Sequence, residues 1–169
     1  MTAPTPDAPV PLDDTHRLDS FDCGDDLLNA WLRHRARRNQ TGGASRTYVS
    51  CADGGQVVGF YALATGELVA TQATGRFRRN MPDPIPVLLL ARLAVDRHHQ
   101  GCGVARALVR DALLRTISVS ETIGIRGLIV HALDDAARDF YAHVGFAPSP
   151  HDDLLLMVTL ADARAALGT

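Results

Sequence analysis

The spacing of apolar positions predicts helices and strands that alternate along most of the chain. Leucines and a tryptophan at helical spacing predict a first helix within residues 22–40. Apolar runs then predict strands at 46–51 and 56–65, which a turn over residues 52–55 joins as a hairpin. The run 87–95 is almost continuously apolar, which is typical of a central strand buried on both faces.

The first helix has a defined start and an apolar face in this interpretation. Asp22 or Gly24 is expected to cap it, because residues of these types are favoured where the first N–H groups lack partners. The side chains expected to face the core are those of Leu27, Leu28, Trp31 and Leu32.

The second half of the chain predicts further helices and strands. A helix is expected over 101–119, and another over 134–144, which an aspartate pair begins and Gly145 ends. Short apolar runs predict strands at 127–132 and 154–160, followed by a helical tail. Strands that alternate with helices indicate parallel pairing, whereas the early hairpin is antiparallel. We therefore expect a mixed sheet with helices on both faces.

Two segments lack a regular pattern. The proline-rich start, residues 1–12, predicts a flexible lead-in. Residues 68–86 contain three prolines and a glycine, which predict a loop, either irregular throughout or with a broken turn. Residues 13–169 are expected to form one domain, since the total length of 169 residues fits a single domain.

Composition indicates an intracellular globular protein. No stretch approaches the roughly 18 to 20 apolar residues that would span a bilayer, and the N-terminus lacks the basic and apolar parts of a signal peptide. The three cysteines show no C-x-x-C spacing, which fits reduced thiols better than a disulfide framework. We expect a cytoplasmic protein without a membrane segment.

A glycine-containing loop follows the buried strand that ends at Val95. Gln100, Gly101 and Gly103 lead directly into a predicted helix, whose first N–H groups have no intrahelical partner and carry partial positive charge. Glycines let a phosphate approach the backbone closely, so this pattern favours a bound anion. Arg106 stands where a Rossmann fingerprint has its third glycine, and the Walker Gly-Lys-Ser/Thr is absent. The alternative is that the glycines merely shape a tight turn.

This loop resembles the cofactor loop of the GNAT acetyltransferases. Gln100-x-x-Gly103-x-Ala105 matches the family's Gln/Arg-x-x-Gly-x-Gly/Ala motif, and the resemblance spans about residues 47–160. It implies an α/β GNAT fold with a mixed central sheet, a splayed strand pair and flanking helices. It also implies that acetyl-CoA is the co-substrate, with its pyrophosphate on the loop amides and its pantetheine arm along the preceding strand. The residues that this assigns to the cofactor are Leu93, Ala94, Val95, Gln100, Gly101, Cys102, Gly103, Val104, Ala105 and Arg106. We expect the Cys102 thiol itself to be a small filler.

A second motif, Phe140-Tyr141 followed by Gly145-Phe146, resembles the later motif of the same family. The resemblance implies that Tyr141 lies near the acetyl sulfur and protonates the departing thiolate. A phenol suits this role, because its pKa near 10 keeps it protonated while a thiol ionises near 8.5. The alternative is that Tyr141 packs its ring and donates a hydrogen bond to a carbonyl. Phe140 and Phe146 are expected in the core.

The first third is similar to the acetylating toxins of type II toxin–antitoxin modules. The segments that carry this similarity, in order, include 21–24, 45–49, 59–63 and 91–96. Those toxins N-acetylate the aminoacyl group of charged tRNA and block translation. The resemblance implies an aminoacyl-tRNA substrate and a cognate antitoxin with a ribbon-helix-helix DNA-binding part and a tail that wraps the toxin. We also expect a homodimer.

Arginines are concentrated in two places despite a formal net charge of -2. The guanidinium group suits phosphate through its fixed fork of donors, although such a run is also common on a solvated helix face. A charge within the buried strand is costly unless it is paired, so Arg92 either pairs with an acid or lines the active cleft, which we favour. The candidate tRNA-binding residues are Arg35, Arg38, Arg46, Arg78, Arg79 and Arg92.

Other chemistries have weaker support in the sequence. The pair His98-His99 lacks the i, i+4 spacing of a helical metal site, and we predict no metal. An aminoacyl amine has a pKa near 8 or lower, so little general-base power is needed, and either Glu67 or a water chain would supply it. The alternatives are a GNAT enzyme that acetylates a small-molecule or protein amine, and a non-catalytic acetyl-CoA-binding protein.

Overall fold

The computed structural model describes residues 5–168, and its strands form one mixed sheet. The strands are β1 (Val10–Pro11), β2 (Arg46–Cys51), β3 (Val57–Leu68), β4 (Ile85–Val95), β5 (Gly127–His131), β6 (Ala147–Pro148) and β7 (Leu155–Thr159). The helices are α1 (Asp26–His34), α2 (Ala36–Gly42), α3 (Gly75–Arg78), α4 (Val104–Ser120), α5 (Asp135–His143) and α6 (Leu160–Leu167).

Strand order confirms the expected mixture of parallel and antiparallel pairs. The order is β1-β2-β3-β4-β5-β7-β6. β2 and β3 form the predicted antiparallel hairpin, whereas β4 and β5 pair in parallel over Leu88–Leu90 and Leu128–Val130. β4 continues past this paired stretch to Val95, as expected for the splayed strand of the fold. Helices flank the sheet, so the predicted α/β fold class is confirmed.

Contacts divide the chain into two compact units, each with its own core. The amino-terminal unit comprises the chain up to residue 64 together with residues 91–111, and the carboxy-terminal unit comprises residues 65–90 and the chain from residue 112 onward. β3, β4 and α4 each continue from one unit into the other. The expectation of one domain over residues 13–169 stays a prediction.

The core of the amino-terminal unit is aromatic and aliphatic. Phe60 packs edge-on against Phe21 at 5.5 Å between ring centroids, and the Trp31 ring stacks on Phe60 at 5.9 Å. Leu12 is buried in the same core, and Val10–Pro11 pair with β2. These residues therefore form a strand where a flexible lead-in was expected, while residues 1–4 of that segment lie outside the described range.

The first predicted helix is interrupted and begins later than expected. Asp25 is its cap, with one carboxylate oxygen accepting from the N–H groups of Leu27 and Leu28 at 2.9 and 3.2 Å. Asp22 does not cap α1, because its Oδ1 accepts from the Gly24 N–H and the Asn29 amide instead. The backbone leaves helical geometry at Arg35, so α1 and α2 are separate.

The expected core position of Leu27 is wrong, because its side chain is 84% exposed. Successive helix positions are about 100° apart around the axis, so Leu27 points away from the face that Leu28 and Leu32 share. Leu32 is fully buried, and Leu28 and Trp31 are partly buried, as predicted for that face.

The carboxy-terminal unit has a separate core that includes part of the predicted loop. Residues 68–86, where a loop, either irregular or with a broken turn, was expected, contain a short 3₁₀ turn, the four-residue helix α3 and the start of β4. The Thr74 hydroxyl accepts from the Phe77 N–H at 3.1 Å, which starts α3 and places Phe77 in the core. None of the described helices is long and apolar enough to cross a membrane.

Candidate active site

The glycine loop has the backbone conformation that its sequence predicts. Gly101 and Gly103 have φ values of +77° and +88°, which residues with a β-carbon rarely adopt, and α4 begins immediately afterwards at Val104 rather than at residue 101. A β-carbon built at either glycine would meet no atom within 4 Å. Packing within the protein therefore does not explain these glycines, and the space above the loop is open for a ligand at the helix N-terminus.

Two side chains hold the start of this loop against its own unit. The Gln100 amide donates to the carbonyls of Val95 and Cys23 at 2.9 and 3.2 Å. Asp96 is buried, and its carboxylate accepts from the N–H groups of Asp22 and His98 at 3.0 and 2.9 Å. Burial raises the pKa of Asp96, but these hydrogen bonds outweigh it and the net pKa lies below its ordinary value. Both side chains thus act as positioning residues for the loop.

The role of Asp96 was not predicted from the sequence, although this residue directly follows Val95 at the end of β4. The prediction for Cys102 is wrong, because this residue is exposed rather than a filler, and its thiol donates to the His99 carbonyl at 2.8 Å. The helix start and the φ values fit the pyrophosphate of acetyl-CoA. Among the described residues, no group of three or more metal-binding side chains is found.

Tyr141 lies in the carboxy-terminal unit on α5, which Asp134 caps by accepting from the Ala137 N–H at 2.8 Å. Its ring is 6% exposed and is packed edge-on against Phe140 and Phe146 at 5.2 and 5.5 Å. Burial raises the pKa of the Tyr141 hydroxyl well above its ordinary value. Phe146 is buried and Phe140 half-buried, so both contribute to packing as expected.

The Tyr141 hydroxyl has no hydrogen-bond partner among residues 5–168. Tyr141 is buried, but its hydroxyl oxygen is not among the buried polar atoms without a partner in the described residues, so the O–H group is accessible to a ligand. The alternative in which Tyr141 donates to a backbone carbonyl is therefore not what the structure has. The phenol is a protonated donor that is kept in a low-dielectric environment.

Arg92 is half-buried on β4 and lies over the Trp31 ring, with its guanidinium carbon 5.2 Å from the ring centroid. It donates to the Ala91 carbonyl at 2.8 Å, and no acid of the described range pairs with it. A cation–π contact, which sequence analysis did not consider, therefore stabilises this charge instead of an ion pair. Its place in the active cleft stays a prediction.

The other arginines divide into those held by the protein and those free to bind a ligand. Arg33 and Arg37 donate to the carbonyls of Phe21 and His16, and Arg46 donates to Gln40 at 2.6 Å. These contacts give the three arginines a structural role. Arg76 forms an ion pair with Asp162. The exposed arginines without a side-chain partner among the described residues include four candidate tRNA-binding residues, Arg35 and Arg38 in one unit and Arg78 and Arg79 in the other. Arg17, Arg106 and Arg110 of the amino-terminal unit share this property.

Comparisons with known proteins agree with this geometry. The model of the acetyltransferase (GNAT) domain family matches residues 43–148. A tRNA-acetylating toxin of Mycobacterium tuberculosis is 50% identical over 161 residues, covering 95% of this chain and 96% of that protein. The structure of AtaT complexed with acetyl-methionyl-tRNAfMet is 31% identical with a TM-score of 0.85, over 93% of this chain and 95% of that one.

A further solved structure is a tyrosine-to-phenylalanine mutant of the AtaT toxin bound to the C-terminus of the antitoxin AtaR and acetyl-CoA. It is 29% identical with a TM-score of 0.79, over 95% of this chain and 97% of that one. The family match covers the glycine loop and Tyr141, and the relatives match both compact units. The chain belongs to the GNAT family of acetyltransferases.

Proposed function

We propose that this GNAT enzyme is a toxin that transfers the acetyl group of acetyl-CoA to the α-amine of an aminoacyl-tRNA and so blocks translation. The observation that carries this proposal is the 50% identity to a tRNA-acetylating toxin over 95% of this chain. The aligned 95% of the chain includes both units. It therefore includes the glycine loop, Tyr141 and the arginine-bearing helices.

The cofactor is assigned to the glycine loop and the strand before it. The backbone N–H groups from Gly101 to Arg106 hold the pyrophosphate, since they are at the positive end of α4 and the surface above the glycines is open. The backbone of β4 from Leu93 to Val95 faces the pantetheine arm. Gln100 and Asp96 keep this loop in its binding shape.

Tyr141 is assigned the role of proton donor to the CoA sulfur. The amine nitrogen forms the new bond to the acetyl carbon as the carbon–sulfur bond breaks, and the sulfur takes the electron pair. The proton of the Tyr141 O–H passes to that sulfur, the amine loses its extra proton to water, and Tyr141 regains a proton from water. Because burial raises the pKa of Tyr141, the donor stays protonated throughout the neutral pH range.

The substrate amine needs little activation. An aminoacyl α-amine has a pKa near 8 or lower, so a useful fraction is neutral at physiological pH. Glu67 is exposed on β3 and belongs to the same unit as Tyr141, which keeps it a candidate base beside a water chain.

Exposed arginines are assigned to the tRNA backbone. Arg35, Arg38, Arg78 and Arg79 have no side-chain partner among the described residues, and so their donors are free for phosphates. Arg46 is exposed but tied to Gln40, so we assign it a smaller contribution. Arg92 on Trp31 is assigned to the cleft that receives the aminoacyl end.

The partners follow from the same assignment. The proposed antitoxin carries a ribbon-helix-helix DNA-binding part and a tail that covers the toxin, and the toxin itself is a homodimer in the cytoplasm, where charged tRNA occurs. The bound AtaR C-terminus in a related structure supports an antitoxin partner.

The decisive experiment incubates the enzyme with labelled acetyl-CoA and a pool of charged tRNAs and identifies N-acetylated aminoacyl groups. We expect label on at least one charged tRNA and none on uncharged tRNA. Changing Arg35, Arg38 and Arg78 to alanine together is expected to raise KM for charged tRNA and to flatten its salt dependence. Turnover on a free polyamine or a protein amine with no label on tRNA would instead identify a small-amine or protein acetyltransferase.

The cofactor assignment predicts that Gly103→Val abolishes tight acetyl-CoA binding. Valine at a φ of +88° is strained, and its side chain would occupy the open space into which the pyrophosphate fits. Calorimetric titration with acetyl-CoA is expected to show a loss of at least about ten-fold in affinity.

The matched control for this titration is Gly43→Val. Gly43 also has a positive φ, +81°, and open surroundings, but it ends α2 instead of lying in the loop. Both variants carry similar backbone strain, so a loss confined to Gly103→Val isolates the binding site. An equal affinity in the two variants would remove the loop from the cofactor site.

A further inference from the structure

A cavity of about 440 Å³ in the carboxy-terminal unit is lined neither by the glycine loop nor by Tyr141, and Arg79 is the one lining residue that was assigned to tRNA above. It lies beside Arg126, which precedes β5, and beside Thr159 and Ala161, where β7 is followed by α6. Three arginines contribute to its wall. Among the residues that the structure describes, no acidic residue lines it. The lining residues are Gly75, Arg76, Arg79, Arg126, Thr159 and Ala161.

Two of the three arginines are held in place by other parts of the unit. Arg76 donates two hydrogen bonds to the Asp162 carboxylate at 2.7 and 2.8 Å. Arg126 donates to the backbone carbonyls of Phe77 and Arg76 at 2.8 and 2.7 Å. Because carbonyl groups are neutral, they orient Arg126 without cancelling its charge.

The third arginine and the start of α6 add to the positive character. Arg79 is exposed and has no side-chain partner among the described residues, so all its donors are free. Ala161 is the second residue of α6, where the helix dipole is positive, and Thr159 caps this helix by accepting from the Asp162 N–H at 3.0 Å. Asp162 forms an ion pair with Arg76 and also interacts electrostatically with Arg126, so one carboxylate stands against three arginine charges.

We propose that this cavity binds the dianion of a phosphate monoester. The walls of a recess can contact a terminal phosphate group on several sides. A phosphodiester group is joined to the nucleic-acid chain at two of its oxygens, so it fits an open surface better. Three arginines and the single Asp162 carboxylate leave a net positive charge of two, which matches the charge of a monoester above its second pKa of about 6. The planar forks of Arg79 and Arg126 suit phosphate oxygens.

This ligand chemistry has two possible sources. One is the 5′-terminal phosphate of the charged tRNA, and this version rests on the proposed function. The other is a small phosphate-bearing metabolite, which requires no RNA. The first part of the test addresses the cavity without any acetylation, so it is independent of the proposed function.

The binding test follows inorganic phosphate by ³¹P line broadening with the full chain, in the presence of saturating CoA to occupy the glycine loop. Arg79→Ala is expected to weaken phosphate binding by roughly ten-fold or more, since each charged hydrogen bond is worth about that factor. The matched control is Arg110→Ala, because Arg110 is also exposed and has no side-chain partner among the described residues, but does not line the cavity. Equal broadening in the two variants and the unaltered protein, or none in any, would overturn the proposal.

The source test compares a charged RNA minihelix bearing a 5′-phosphate with the same minihelix bearing a 5′-hydroxyl. A preference in kcat/KM for the 5′-phosphate that Arg79→Ala removes and Arg110→Ala keeps would identify the RNA end as the ligand. No preference, with phosphate binding still dependent on Arg79, would identify a small phosphate compound. If no charged RNA is acetylated, the proposed function fails, and the binding test still decides on the cavity.

Discussion

Replacing Tyr141 with phenylalanine is expected to reduce turnover by about 10²- to 10⁴-fold, the usual contribution of a positioned general acid. The variant keeps the ring that packs against Phe140 and Phe146 and removes only the hydroxyl. Since this hydroxyl has no partner among the described residues, its loss breaks no hydrogen bond of the fold. Stability and acetyl-CoA affinity should therefore stay close to those of the unaltered protein.

The control for this variant is Tyr48→Phe, which removes the hydroxyl of a tyrosine in β2 that stacks on Tyr61 at 5.1 Å. Its turnover is expected to be nearly unchanged. Single-turnover rates with charged tRNA and saturating acetyl-CoA measure the effect directly. Full activity of Tyr141→Phe would mean that the tyrosine is purely structural.

The pH dependence of the unaltered enzyme gives a second readout of the same role. Because burial raises the pKa of Tyr141, the donor does not ionise in the neutral and mildly alkaline range. The rate is therefore expected to rise as the substrate amine loses its proton near pH 8 and then to stay level. If the rate of the unaltered enzyme fell above about pH 8 and that of Tyr141→Phe did not, Tyr141 would ionise more easily than its burial implies.

Much of the fold was predictable because its elements have strong periodic patterns. The hairpin of β2 and β3, the buried run of β4 and the capped helix α5 all appear in the sequence with nearly the observed bounds. β1 and β6 were missed because a two-residue strand has no period to detect. The separation of α1 from α2 was missed because arginine at position 35 is a good helix former, and tertiary contacts override its propensity.

The candidate site was predictable where the chemistry lies in one continuous segment. The glycine loop and the Phe140-Tyr141 pair are such segments. The loop has the positive φ values that glycine favours and Tyr141 is buried, while the roles of both segments stay predictions. The arginine cavity was not predictable, because Arg126 is distant in sequence from Arg76 and Arg79. Charge counting likewise did not distinguish arginines that donate to backbone carbonyls from those with free donors, since only the folded chain brings the carbonyls to them.

The largest expected effect on stability comes from Gly127→Ala, at the start of β5. A β-carbon at this position would lie 2.0 Å from the carbonyl oxygen of Val158 and 3.0 Å from its carbonyl carbon. These are backbone atoms of β7, which pairs with β5 from Gly127–Thr159 to His131–Leu155, so no side-chain rotation can relieve the clash. The strands must separate at this end, which also displaces Arg126 and Thr159 at the cavity.

We expect Gly127→Ala to lower the free energy of unfolding by about 3 kcal/mol or more, at the upper end of overpacking effects. Urea unfolding followed by circular dichroism measures it, and Gly124→Ala is the matched control. Gly124 precedes the same strand, and a β-carbon there would meet nothing within 4 Å, so that variant should change the free energy by less than about 0.5 kcal/mol. If both variants unfold at the same urea concentration, β7 does not approach Gly127 as closely as described, and glycine at this position is not required by the pairing of β5 with β7.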